Sequence, residues 1–314
     1  MDIAIQVVLL ILGFVMLIKG ADWFVEGASG IADRFGIPQL VIGLTIVAFG
    51  TSAPEAAVSI SAAMKGNADI TIGNIVGSNI LNILIILGLT AVICPIAVQK
   101  STFKYEIPYV VIVSAVLFGV GYFDQTVSRV DGIILWAMMI VYMIYLLRMA
   151  KKGEASGENL EEEERKPIWK LLILVVVGLV LIVWGSDVTV DAATSIALMF
   201  GVSERIIGLT IVALGTSLPE LMTSVTAAIK GKADIAIGNI VGSNIFNILF
   251  VVGTTALITP TTYAGSFLVD SIMMIVSAVL LWLCLLGKEH KLHRWSGAIM
   301  LVVYAGYLVY MLVG

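Results

Sequence analysis

Apolar runs of 17 to 32 residues dominate this chain, and its charged residues gather in the short segments between them. A bilayer's hydrocarbon core is about 30 Å thick and takes about 20 helical residues to cross. On that measure the pattern predicts ten membrane-spanning helices, at 3–33, 38–64, 70–94, 106–122, 130–149, 168–199, 204–229, 235–258, 265–286 and 295–313. Continuous apolar runs, rather than ten-residue alternations, select helices over a membrane β-barrel. The first and sixth spans exceed what a crossing needs, so they tilt or project beyond the bilayer. Residues 3–33 do not read as a cleavable leader, because they lack a basic start and run directly into the patterned region that follows.

Part of this pattern occurs twice. Residues 39–88 align on 204–253 without a gap, at a constant offset of 165, and 33 of the 50 pairs are identical. The first copy reads GLTIVAFGTSAPE…KGNADITIGNIVGSNILN and the second GLTIVALGTSLPE…KGKADIAIGNIVGSNIFN. The copies begin spans 2 and 7. Five spans separate equivalent points, an odd number, so the two halves enter the membrane in opposite senses and form an inverted repeat. A weaker similarity reaches the first span, where Asp22 and Glu26 correspond to Asp187 and Asp191. The expected fold is an all-α polytopic membrane protein. Its ten transmembrane helices form two inverted five-helix halves, 1–150 and 168–314. The linker between them, 151–167 (KKGEASGENLEEEERKP), is polar and free of aromatics, which predicts a mobile segment without a folded domain of its own.

Basic residues orient the chain. The loops after the odd-numbered spans carry fourteen Lys and Arg, and the opposite side carries Lys65, Arg129 and Arg205 only. The positive-inside rule puts the fourteen, and the 151–167 linker, in the cytoplasm and both termini outside. Composition agrees with a membrane protein: 13% of residues are charged, about half the share of a soluble chain. The net charge of −4 comes largely from the run Glu161–Glu164 and identifies no partner. Cys94 and Cys284 lie in or beside apolar spans without a CxxC pair, so they read as packing residues. His290 and His293 fall in the charged segment KEHKLHR and read as part of a solvated loop.

The chemistry lies in the repeat. Each copy places one Glu, Glu55 or Glu220, inside an apolar span, where a carboxylate is costly and marks a functional site. Pro54 and Pro219 each lack an N–H and oppose the carbonyl four residues earlier, Gly50 and Gly215, so spans 2 and 7 should break there. Carbonyls freed around Ala48 to Thr51 and Ala213 to Thr216 must then face protein or a polar cavity. Thr51 and Ser52 share a helix face with Glu55, as Thr216 and Ser217 do with Glu220. Ser78 with Asn82, and Ser243 with Asn247, are likewise four apart. Every donor in this set is an oxygen, which favours Na⁺, K⁺, Mg²⁺ or Ca²⁺ over zinc or copper. Gly73, Gly77 and Ser78 are spaced for close helix contact, so span 3 can press onto the broken span 2. Asp69 and Asp234 precede their helices and read as N-caps rather than ligands. Asp22, Glu26, Asp187 and Asp191 lie towards the ends of long spans and fit either capping or vestibule roles. The competing reading of Glu55 and Glu220, as hydrogen-bonded locks between helices, explains a lone carboxylate better than two repeated ones, each beside a Pro break and hydroxyls.

On the paired motifs GTSAPE and GTSLPE, with GSNILN and GSNIFN, the chain resembles the calcium/cation antiporter superfamily, and within it prokaryotic sodium/calcium exchangers. The resemblance spans both halves. It implies four ion sites in a diamond at mid-membrane. Calcium would be held by the side chains of Glu55 and Glu220 with the carbonyls of Thr51 and Thr216. Sodium would be held by Ser52, Ser78 and the Ala48 carbonyl, and by Ser217, Ser243 and the Ala213 carbonyl. Asn82 and Asn247 would line the middle. It further implies three Na⁺ per Ca²⁺ and sliding of spans 1 and 6 across the other eight. One departure is Asn247, where potassium-dependent relatives carry Asp; two motif carboxylates are also what calcium/proton antiporters have.

Charge counting supports exchange independently. Two ionised carboxylates carry about −2, which one Ca²⁺ or two Na⁺ neutralise. Both together would place excess positive charge in a low-dielectric site, so the ions compete. An empty site leaves two buried carboxylates uncompensated and resists crossing the apolar barrier. The expected function is Na⁺/Ca²⁺ antiport. Ca²⁺/H⁺ antiport is the alternative, with the two Glu as proton carriers, and a passive cation channel is a weaker one. No phosphate loop, nucleophile–base pair or nucleotide motif points to an enzyme. The expected partners are Ca²⁺, Na⁺ or H⁺ and the lipid bilayer, with no cofactor, nucleic acid or protein partner required.

Overall fold

The computed structural model describes residues 3–66, 69–154, 166–201, 213–265, 267–287 and 289–313. Its helices are α1 (Ile3–Phe35), α2 (Gln39–Thr51), α3 (Ala53–Met64), α4 (69–93), α5 (Thr102–Asp124), α6 (Arg129–Glu154), α7 (Ile168–Met199), α8 (Leu218–Ile229), α9 (Ala233–Ile258), α10 (Phe267–Cys284) and α11 (Arg294–Val313). A short turn of helix, Ala213–Gly215, precedes α8. Among the described residues, seven helices are long and apolar enough to cross a membrane, or eight when the bent pair α2 and α3 counts as one span. The predicted span 204–229 falls partly on 202–212, outside the described residues.

The expected break in the second span is present. Helices α2 and α3 meet at a 50° bend. Ser52 sits at the junction with φ −84° and ψ 7°, and Pro54 occupies the first turn of α3. Proline is tolerated there because a first-turn N–H has no intrahelical acceptor to lose. The same arrangement recurs at Ser217 and Pro219, ahead of α8. Widened π-helical turns add to the irregularity at Gly43–Val47, Asn82–Leu87 and Asn247–Val252. Such turns often accompany functional sites.

The offset of 165 governs the tertiary structure as well. Strands β1 (Ile96–Ala97), β2 (Thr126–Val127), β3 (Thr261–Thr262) and β4 (Lys291–Leu292) pair across the repeats, β1 with β4 and β2 with β3. Ile96 faces Leu292, and Val127 faces Thr261. Adding 165 to Ile96 gives Thr261 and subtracting 165 from Leu292 gives Val127, so the second pair is the first with the repeats exchanged, as a pseudo-two-fold axis requires. Near that axis α4 and α9 cross. Asn79 Nδ2 donates to the Asn244 carbonyl, and Asn244 Nδ2 returns the bond to the Asn79 carbonyl, both at 3.2 Å.

Helices α1 and α7 pack along their length, in a cluster that also takes in Ile42 and Val47 of α2, Ala227 and Ala228 of α8, and Ile235 and Ala236 of α9. Glycines let their backbones touch: a methyl built on Gly20 would meet the Gly178 carbonyl at 2.8 Å, and one on Gly178 would meet the Gly20 carbonyl at the same distance. Their other faces, with those of α6, present exposed Ile, Leu and Val, as lipid requires.

Close glycine contacts in the central hairpins run between repeats. Gly238 of α9 abuts Gly43 and Leu40 of α2, and Gly242 abuts Ala48 and Leu44. A methyl built on Gly73 would meet the Phe267 ring at 3.2 Å, and one on Gly77 would meet no described residue within 4 Å. Two readings of single residues change. Asp234 lies inside the first turn of α9, with Lys232 at the cap position, and its carboxylate accepts a 2.6 Å bond from Gln99 Nε2. His290 is not loosely solvated: it stacks on Phe103 with centroids 4.3 Å apart, because the pairing of β4 with β1 fastens this loop. Cys94 and Cys284 are free thiols, as expected. The side chain of Asp69 lies outside the described residues.

Candidate ion-binding site

The bend at Ser52 turns the start of α3 into the protein centre, and the break before α8 does the same from the opposite repeat. Glu55 and Glu220 stand there, each 1% exposed. Ser52 Oγ donates to Glu220 Oε1 at 2.8 Å, which ties the first repeat's junction to the second repeat's carboxylate. Thr216 and Ser217 lie beside Glu55 in the corresponding places, and the Ser217 hydroxyl has no hydrogen-bond partner among the described residues. Thr51 Oγ1 donates to Asn239 Oδ1 at 2.9 Å and Ser243 Oγ to the Ala48 carbonyl at 3.4 Å, both across the repeats. Ser78, Asn82 and Asn247 are also buried in this region. Ala213 begins the turn of helix that leads to Thr216.

The two asparagines are held by their amide nitrogens. Asn82 Nδ2 donates to Asn244 Oδ1 at 3.0 Å, and Asn247 Nδ2 to Asn79 Oδ1 at 3.1 Å. That leaves Asn82 Oδ1 and Asn247 Oδ1 buried without a partner among the described residues, along with Glu55 Oε2, Glu220 Oε2 and Ser217 Oγ. Buried polar groups are normally satisfied, so five unpartnered oxygens among the motif residues require explanation. The described ion pairs are Lys166–Glu26 and Lys230–Asp22, and neither involves Glu55 or Glu220. Two carboxylates buried without a cation among the described residues, beside oxygen donors, suit a hard cation as partner.

Sequence reasoning missed the braces of this site. Asn74 Nδ2 donates to Ser59 Oγ at 3.0 Å and to the Glu55 carbonyl at 3.4 Å. Asn239 does the same to Ser224 at 2.9 Å and to the Glu220 carbonyl at 3.3 Å. Each pins a broken helix to the helix that follows it. The signal was available: Asn74, Ser78 and Asn82 are spaced by four, as are Asn239, Ser243 and Asn247, so each trio forms one polar stripe.

Access is asymmetric. A cavity of about 150 Å³, lined by Pro54, Asp187, Asp191, Gly215 and Thr216 among others, lies beside the site. The equivalent acids of α1 are engaged instead. Asp22 pairs with Lys230 at 2.5 Å, and Glu26 pairs with Lys166. Lys230 also donates to the Asp22 carbonyl at 3.0 Å.

The family described as "Sodium/calcium exchanger protein" matches residues 5–148 and again residues 170–313, two segments that themselves differ by 165. The sodium/calcium exchanger MaX1 of Methanosarcina acetivorans is 34% identical, covering 98% of each chain. The inner membrane protein YrbG of Escherichia coli is 39% identical, over 87% of this chain and 88% of its own. A solved structure of the sodium-calcium exchanger NCX_Mj superposes with a TM-score of 0.83 at 34% identity, covering 98% of this chain and 99% of that one.

Proposed function

This chain belongs to the sodium/calcium exchanger family, and on that premise we propose that it exchanges Na⁺ for Ca²⁺ across a cell membrane by alternating access. The observation that carries this reading is the set of unpartnered buried oxygens on Glu55, Glu220, Asn82, Asn247 and Ser217. Ca²⁺ lies between Glu55 and Glu220, with the Thr51 and Thr216 carbonyls completing its shell. Na⁺ occupies the flanking positions at Ser52, Ser78 and the Ala48 carbonyl, and at Ser217, Ser243 and the Ala213 carbonyl. Two carboxylates neutralise one divalent or two monovalent ions, so the cargoes displace each other. With three Na⁺ per Ca²⁺ one net charge crosses per cycle, worth about 2.3 kcal/mol per 100 mV.

The chain forms ten spans in two inverted five-helix halves, 1–150 and 168–314, joined by a cytoplasmic linker at 151–167, with both termini outside. Helices α1 and α7 move as a unit over the rest. The close glycine contacts between them, Gly13 with Gly185 and Gly20 with Gly178, support this. So does the asymmetry of access, with the Lys230–Asp22 tie on the side of the linker and a cavity beside Thr216. Ca²⁺/H⁺ antiport is the second reading, favoured by the presence of only two carboxylates in the motif set.

The test is calcium-45 uptake into proteoliposomes loaded with Na⁺, against K⁺ or choline loading at matched pH, with a pH jump in parallel. Uptake that needs the outward Na⁺ gradient is expected. Uptake driven by the proton gradient and indifferent to Na⁺ would assign the protein to Ca²⁺/H⁺ exchange.

A further inference from the structure

A third buried carboxylate lies outside the ion site. Glu106, in the first turns of α5, is 1% exposed. One of its oxygens accepts the Tyr145 hydroxyl, and the other, Oε2, has no partner. The hydroxyl of Tyr142, itself 4% exposed, is also unpartnered. Both residues line a groove of about 350 Å³ between α5 and α6, with Tyr109, Ile112 and Val141. The ring of Tyr142 stacks on Tyr109 at 5.5 Å, so the walls are aromatic faces. Ile112 and Val141 are 52% and 63% exposed, which opens the groove sideways towards lipid. Lys104 stands at its mouth, without an ion pair among the described residues.

The repeat supplies an internal control. The groove between α10 and α11 has the same volume and is lined by Val269, Met273, Tyr307 and Tyr310. These are the equivalents of Lys104, Pro108, Tyr142 and Tyr145. Position 271, equivalent to Glu106, is Ser, and its hydroxyl is satisfied by Tyr263. Tyr307 is satisfied too, through Asp270 at 2.7 Å. The acid beside this second groove, Asp270, is half-buried and partnered, so the fold builds the groove without a fully buried, unpartnered carboxylate. A buried carboxylate added to one copy alone, facing lipid-exposed walls, carries a cost that packing does not explain.

We propose that the α5–α6 groove binds an aminophospholipid of the phosphatidylethanolamine class, its ammonium on Glu106 and Tyr142 and its phosphate at Lys104. The chemistry of the orphan atoms selects this headgroup. A carboxylate oxygen and a phenol oxygen lacking donors call for N–H groups, and a primary ammonium offers three. A quaternary choline offers none. Aromatic walls add cation–π attraction to the same charge. The apolar flanks take the acyl chains.

The test is native mass spectrometry of the purified full-length protein titrated with phosphatidylethanolamine, its mono- and dimethyl derivatives and phosphatidylcholine, all with matched acyl chains. Charge-assisted hydrogen bonds of this kind should favour phosphatidylethanolamine over phosphatidylcholine by about tenfold. Retention should fall stepwise with each N–H removed. Glu106→Ser, the residue the second repeat uses, should abolish the preference while leaving total lipid uptake similar. Equal retention across the methylation series in the unmodified protein would overturn the proposal, and so would an undiminished preference in the Ser variant. Displacement of the lipid by free ethanolamine at equal concentration would overturn the assignment to a lipid.

Discussion

Replacing Glu220 by Gln tests the ion site with the least change of shape. The amide oxygen can still accept from Ser52, whose Oγ lies 2.8 Å from Glu220 Oε1, so the junction before α3 should hold. What is lost is one of two buried negative charges. At an effective dielectric near 20, a unit charge pair about 4 Å apart is worth about 4 kcal/mol, hence about 8 for a divalent ion and about 4 for a monovalent one. If reorientation of nearby hydroxyls and carbonyls recovers half, Ca²⁺ loses about 4 kcal/mol, roughly a thousandfold in apparent affinity. A single Na⁺ loses about the square root of that factor. Uptake of calcium-45 into Na⁺-loaded proteoliposomes should therefore vanish at micromolar Ca²⁺ and return in part at millimolar Ca²⁺. Selectivity for Ca²⁺ over Na⁺ should fall with it. Size-exclusion and circular dichroism profiles like those of the unmodified protein are the folding control. Unchanged calcium affinity in a folded Glu220→Gln protein would refute the placement of Ca²⁺ against this carboxylate.

Three further outcomes are expected. Asn247→Asp replaces a buried amide, whose Oδ1 has no partner among the described residues, by a third carboxylate, and should change the rank order of competing monovalent ions in uptake assays; an unchanged order would remove position 247 from the ion pathway. Lys230→Asp should alter uptake rate while moving the melting temperature little, since partly exposed ion pairs contribute less than about 1 kcal/mol, and Asp22→Lys in the same chain should restore the rate if the tie between α1 and the end of α8 is what was broken. Gly238→Ala places a methyl 3.0 Å from the Gly43 Cα and the Leu40 carbonyl; backbone cannot yield as a side chain can, so a loss of about 1–3 kcal/mol should appear as earlier thermal unfolding in detergent, and an unchanged melting curve would mean that α2 and α9 are not held at this distance.

Much of this protein is determined by its sequence alone. Apolar run length sets which segments are helices spanning lipid, because an unsatisfied backbone has no other solution there. Pro54 and Pro219 set where two of them break, since the missing N–H and ring clash act within one turn. Duplication at offset 165 reveals the symmetry and marks the two carboxylates. Tertiary structure decided what depends on contact between the halves. Ser52 reaches Glu220 rather than its near neighbour Glu55. The α9 glycines seat on α2 instead of on their own hairpin. Asn74 and Asn239 brace the broken helices. Asp22 and Glu26 are tied to lysines, whereas their repeat equivalents border an access cavity. Two copies of one motif look alike in sequence whichever partner they meet. Only their packing about the pseudo-two-fold axis chooses the partner, and the protein departs from that symmetry where the acids of α1 meet lysines and those of α7 border a cavity, which no local pattern encodes.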